Sequence, residues 1–162
     1  MALPIYADVA FEKTGPVKDS NNVATNYKQQ ILVQSVRHET KIAQSSQQGF
    51  AASVVRPEGV VVTVASGEYI PEFYQAHFTG DKVKTFTITY TTIGKDGMPA
   101  DDMIVKVTGG VVSKIDHHHP TLLDDENDKL PSLYDITIAY QDIEVQHKPG
   151  GKQMTYSWKD HF

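Results

Sequence analysis

The closing third of the chain constrains the fold most. Val111-Val112-Ser113-Lys114-Ile115-Asp116, then Tyr134 to Glu144, then Tyr156-Ser157-Trp158 are rich in β-branched and aromatic residues. Such residues fit a pleated, half-buried surface, and their near two-residue period is that of strands. None of these runs carries a catalytic spacing. They point to a chain that pairs strands and presents edges and loops, above all to copies of itself.

The rest of the chain continues the pattern. Leu3, Ile5, Ala7, Val9 and Phe11 alternate as a first strand, and Gly15 to Asn26 is polar and loop-like. Gln30 to Glu39 forms a second strand, covered on both sides near its start. Gly59 to Ala65 is a β-branched run and a further strand. From Thr85 to Ile93 apolar residues alternate with threonines, predicting one buried and one wet face. Lys95-Asp96-Gly97 supplies a hairpin turn, because Asp-Gly favours positive φ, and Met103, Val105 and Val107 return. Gly109-Gly110 then marks a bulge or bend. His117 to Pro131 reads as a loop. Leu133 to Val145 is the longest strand, and its phase slips near Asp142, as a bulge would make it do. After Pro149-Gly150-Gly151, Gln153 to Trp158 pairs back as the last strand.

One helix is signalled. Pro71 suits a first helical position, and Gly80 supplies a left-handed cap. Ile70, Phe73, Tyr74, His77 and Phe78 share a helical stripe, which places Phe73, Tyr74 and Phe78 in the core. About two turns are too short to stand alone, so the stripe must pack on the sheet.

Between the second strand and Gly59 lies a different kind of segment. Within Lys41 to Gly49, the run Ala43 to Gly49 contains no strong core former. It reads as a solvated loop or as an extended arm that orders against a partner, since long loops without structure of their own are often functional. The arm reading makes Gln44, Ser45, Ser46, Gln47, Gln48, Phe50 and Ser53 candidate subunit-interface residues.

Composition excludes several functions. With 162 residues, 40% hydrophobic and 22% charged, the chain fits one globular domain spanning 1–162. A net charge of -5 with scattered Lys and Arg argues against nucleic acid. The absence of cysteine excludes disulfides and thiolate metal sites. The start has no basic region followed by an apolar one, and no apolar run approaches the ~20 residues of a membrane helix.

The chemistry-bearing clusters are weak. His117-His118-His119 stands among acids, yet one loop would have to supply every ligand that zinc takes from converging segments. Asp124-Asp125-Glu126-Asn127-Asp128 lacks the glycine and closing glutamate of a calcium loop. There is no Gly-x-Ser-x-Gly, no phosphate-cradling glycine loop and no cysteine nucleophile. No motif nominates Ser35 or His38. No catalytic residue, metal or cofactor is expected.

The ordered set of these elements resembles the Hcp (haemolysin-coregulated protein) family, the inner-tube protein of the type VI secretion system. The resemblance rests on Leu3-Pro4-Ile5-Tyr6, on Val36-Arg37-His38-Glu39 and the extended loop after it. It continues through Tyr69-Ile70-Pro71-Glu72-Phe73-Tyr74-Gln75-Ala76 with Thr79-Gly80. It closes with Val111 to Ile115, Ile136 to Glu144 and Ser157-Trp158. It departs from the family pattern at Val64 to Glu68, before the helix. The resemblance implies a mainly β fold, a small β-barrel of two packed sheets with one short helix and an extended loop. It implies homohexameric rings stacked into a hollow tube, with a sheath, a spike and effectors as partners. It further implies assembly in the cytoplasm, secretion without a signal peptide, effectors bound in the lumen, and, from the end just past Trp158, no fused toxin. Two other readings remain open: a phage-tail-tube-like protein of another contractile system, and a small metal-binding module on the His117–His119 loop.

Overall fold

The structure, a computed structural model, describes residues 3–24, 26–44, 51–123 and 131–157. Their elements are β1 Ile5–Phe11, β2 Gly15–Val17, β3 Ile31–Gln44, β4 Ala51–Ala65, α1 Ile70–Thr79 and β5 Val83–Ile93. There follow β6 Pro99–Thr108, β7 Val111–His118, β8 Leu133–Ala139, β9 Asp142–His147 and β10 Lys152–Ser157. The strands pair in the order β10-β9-β6-β5-β1-β3-β4-β8-β7, with β2 on β1. The mainly β architecture with one helix is as expected. The ladder is continuous, and among the described residues its end strands, β10 and β7, do not pair.

The core lies on the concave side. Val9, Phe11, Ile31, Val60, Val62, Phe86, Ile88, Val107, Ile136 and Ile138 are all essentially fully buried. Leu32 and Gln34, alternating with the buried Ile31 and Val33, face out. That alternation pins the register, because a one-residue slip would turn every core side chain into solvent. α1 lies over the core beside β7, with Phe73 edge-on to both Phe11 and Tyr69. Pro71 stands in its first turn, and Gly80 closes it at φ 66°, its N–H donating to Ala76 O and His77 O.

The helical stripe is narrower than its sequence pattern. Ile70, Phe73 and Ala76 are buried and Tyr74 is half-buried, but Phe78 is 79% exposed and is not core. At 100° per residue, Phe78 stands about 140° around the helix from the middle of the face set by Ile70, Phe73 and Ala76. Its ring stacks on Tyr74 instead, at 6.0 Å.

Several boundaries differ from the sequence pattern. Gly15-Pro16-Val17, expected as loop, pairs with β1 through Val9↔Val17. In β5 the buried face changes after Ile88: Thr89 and Thr91 are buried and Ile93 is exposed. The β5–β6 register shifts there, and Thr91 Oγ1 donates to Pro4 O at 2.6 Å. His117 and His118 belong to β7, paired with Tyr134 and Leu133. The phase slip near Asp142 is a corner between two strands. β8 pairs with β4 and β7, whereas β9 pairs with β6 and β10, and the buried Tyr140 turns the chain between them. The last strand ends at Ser157, and Trp158 lies outside the described residues.

The glycine pair is a bend between β6 and β7, as expected. Gly109 takes φ 77°, and a Cβ on Gly110 would lie 1.6 Å from Ala139 O. Close approach to the β8–β9 corner therefore requires Gly110.

Candidate functional site

The segment expected as a loop or arm is in part a two-stranded ribbon. β3 runs on through Lys41 to Gln44, and β4 begins at Ala51, well before Gly59. The ladder continues through Thr40↔Pro57, Lys41↔Arg56, Ile42↔Val55 and Gln44↔Ala51. Backbone pairing with the opposite strand overrides the weak strand preference of these residues. Gly59, at φ 87°, sits at the bulge where this ribbon leaves the body of the sheet. Lys41 Nζ and Glu58 make an exposed ion pair at 3.3 Å just outside it. Of the candidate interface residues, Gln44 ends β3 and Ser53 lies in β4. Ser45, Ser46, Gln47, Gln48 and Phe50 lie outside the described residues.

Below the ribbon, the outer face of β3-β4-β8-β7 forms a shallow polar groove of about 450 Å³. Alternation brings Ser35, Arg37 and Glu39 from β3, Thr63 from β4, Asp135 and Thr137 from β8, and Lys114 and Asp116 from β7 to one surface. Neighbouring strands link across it: Ser35 Oγ donates to Thr63 Oγ1 at 3.4 Å, and Thr63 Oγ1 donates to Asp135 Oδ1 at 2.5 Å. Ser35 thus belongs to a surface that its sequence context did not mark. The signal was present as the polar phase of four strands, and it becomes a surface only once the strand order is known.

On the opposite phase of β3, His38 Nε2 lies 2.7 Å from Tyr140 Oη. Most of His38 is exposed, but burial of this end of the ring holds the imidazole below its usual range. Tyr140 is pushed up to about 12 by burial and then by Tyr156. The pair ties the base of the ribbon to the β8–β9 corner.

The histidine triplet is dispersed by its strand. The His117 ring stacks on Tyr134 at 4.2 Å, and His119 Nδ1 lies 2.5 Å from Ser132 Oγ. Among the described residues no three His, Asp or Glu side chains converge as a metal would need. Asp124, Asp125, Glu126 and Asp128 lie outside those residues.

A buried carboxylate braces the fold elsewhere. Asp81, 2% exposed, accepts hydrogen bonds from the Thr14 N–H at 2.7 Å, the Thr14 hydroxyl at 2.8 Å and the Lys13 N–H at 3.0 Å. Burial alone would raise its pKa, but these donors and the Lys13 charge outweigh it and hold the carboxyl below the usual range. The contact clamps the β1–β2 turn to the end of α1.

The described surfaces thus present polar side chains and a strand ribbon. Residues 14–147 match the profile of the family described as type VI secretion system effector, Hcp. A search of curated proteins by sequence finds no match. Among solved structures, an Hcp protein superposes with a TM-score of 0.88 at 16% identity, over 97% of this chain and 98% of that one. A mutant Hcp1 from the E. coli EAEC 042 pathovar gives 0.84 at 19% identity, over 97% and 99%. The secreted protein Hcp3 from Pseudomonas aeruginosa gives 0.74 at 16% identity, over 97% and 99%. At such identities these likenesses establish the fold, and the family follows from the profile match. Among the described residues no helix is long and apolar enough to cross a membrane.

Proposed function

The chain belongs to the Hcp family of type VI secretion tube proteins, and on that premise we propose that six copies of it, as a single tube domain, close into a ring. Rings stack into a hollow tube, which a sheath drives out of the cell behind a spike, with effectors held in the lumen. The role is structural rather than enzymatic, and it resides in surfaces.

The observation that carries this reading is the polar outer face of β3-β4-β8-β7. Four strands present hydroxyls and charges of both signs on one broad surface. A wet sheet face of this kind suits a channel wall, and its mixed charges suit reversible contact with polar cargo. The β3–β4 ribbon, reaching beyond the body of the sheet, suits contact with a neighbouring copy. Closure into a ring requires a heterologous interface, in which different patches of the same chain meet.

Negative-stain microscopy tests the reading. The purified protein should give annular particles, and Gln47→Asp or Phe50→Asp should reduce them while leaving the circular dichroism unchanged. A protein that stays monomeric at high concentration would overturn the tube reading. Unaltered assembly of both variants would remove the segment between β3 and β4 from the interface.

A further inference from the structure

A second polar pocket, of about 500 Å³, lies where the start of β3, the β5–β6 hairpin and the β9–β10 turn meet. Its inner wall is Tyr27, 6% exposed and stacked on Tyr6 at 4.4 Å. The Tyr27 hydroxyl donates to Asp101 Oδ1 at 2.6 Å. On the rim, Asp96 Oδ1 accepts the Met98 N–H at 3.1 Å. Each acid thus commits one oxygen to the fold. Among the described residues, Oδ2 of each makes no hydrogen bond or ion pair. Gln30 lines the same pocket, and its Oε1 is buried without a partner among the described residues.

Gln30 is set in place by a strained neighbour. Gln29 takes φ 65°, the left-handed region that a residue with a Cβ seldom adopts. Its N–H donates to Asn22 O at 3.0 Å, and its own O accepts the Asp19 N–H at 2.9 Å. The Asn22 side chain in turn donates to Gln30 O at 2.7 Å. Backbone braced in such a region is found at ligand-holding segments, where the surroundings enforce the strain.

The unpaired groups are acceptors: one amide oxygen and two carboxylate oxygens. Lys148 also lines the pocket but pairs with neither acid among the described residues, so two carboxylates face one ammonium. A ligand suited to this site donates and is positively charged. An alkylammonium brings three N–H donors and no acceptor. A guanidinium draws its advantage from both oxygens of one carboxylate, and here Oδ1 of each is taken. A metal ion needs more converging carboxylates or imidazoles than the described residues bring together. Met98 and Pro99 line the pocket as well, giving an aliphatic stem a surface to lie on.

We infer that this pocket binds the ammonium group of a small aliphatic amine, with Gln30 Oε1, Asp96 Oδ2 and Asp101 Oδ2 as its acceptors. The site is present in each copy of the chain, whether or not copies form rings.

Equilibrium dialysis of the purified protein against labelled 1,4-diaminobutane tests this. Binding should saturate at one amine per chain and weaken with salt, as contacts between opposite charges do. Gln30→Leu should weaken it about ten- to a hundredfold, the effect of losing a hydrogen bond to a charged group. The same substitution removes an unpaired buried acceptor, so it should not lower the melting temperature. Asp101→Asn keeps an acceptor for Tyr27 and removes a charge, and it should weaken binding too. Lys148→Ala removes the resident cation and should tighten it. Failure of the amine to bind would overturn the inference, as would unchanged affinity in Gln30→Leu and Asp101→Asn. Equal binding of tetramethylammonium, which has the charge but no N–H, would also overturn it. Displacement of the amine by an equal concentration of calcium would do the same, reassigning the pocket to a metal. Should Gln30→Leu not fold, Asp101→Asn decides alone. Tighter binding of N-acetyl-lysine methylamide than of the diamine would identify the ligand as a lysine side chain of another protein. The reverse order would identify a free amine, and either order upholds the ammonium site.

Discussion

β3 contains two regions that differ more from each other than most pairs of separate strands do. At its start the buried Ile31 and Val33 alternate with the exposed Leu32 and Gln34, and the strand is held by the core. Beyond the bulge at Gly59, Thr40 and Lys41 are exposed, yet the ladder with β4 continues to Gln44. The first region is stabilised by burial inside one chain. The second is a two-stranded ribbon, which is marginal by itself in water. A strand that outruns its own core therefore directs attention to a second molecule. Mutations should separate the two regions, with stability effects in the body and assembly effects in the ribbon.

The largest effect is expected at Gly110. Gly110→Val puts a side chain where Ala139 O already lies, and it should destabilise by about 4 kcal/mol or more. Soluble expression and thermal unfolding check this, and a near-normal melting curve would mean the β6–β7 bend can relax. Next comes Phe73→Ala, which removes a ring 1% exposed under α1 and should cost about 3–5 kcal/mol in denaturant unfolding. Asp81→Ala orphans the Lys13 and Thr14 donors and should cost about 1–3 kcal/mol. Its pH dependence has a definite sign. Because the folded carboxyl titrates below its ordinary 3.8, its contribution is present above about pH 4 and is lost as pH falls through the folded value. The difference between wild type and Asp81→Ala should therefore shrink in acid; a constant difference would assign the loss to packing. The smallest effect is expected in the ribbon. Lys41→Ala breaks an exposed ion pair and should cost under about 1 kcal/mol. A loss as large as that at Phe73 would erase the distinction between the regions.

How much of this was legible in the sequence follows the same division. The helix ends were readable because Pro71 and Gly80 act locally, through a preset φ and a left-handed cap. The hairpin at Asp96-Gly97 was readable for the same reason. The ribbon was not, because Gln44 and Ala51 have weak strand preference and are held by each other. Phe78 matched the helical period but falls outside the narrow face that one flank of a sheet can cover. The β8–β9 corner looked like one long strand because Tyr140 keeps the alternation while the hydrogen-bond partners change. The polar groove needs the order β3-β4-β8-β7, and no local pattern encodes that order. The histidine triplet drew attention as a cluster, and strand geometry gave His117 and His119 separate partners, Tyr134 and Ser132.

The central claim is that the chain's surfaces are completed by copies of itself. Native mass spectrometry tests it most directly, across a range of concentrations. The account predicts a dominant particle of six 18.0 kDa chains, about 108 kDa, with multiples of it at high concentration. A single 18.0 kDa species at every concentration would contradict it.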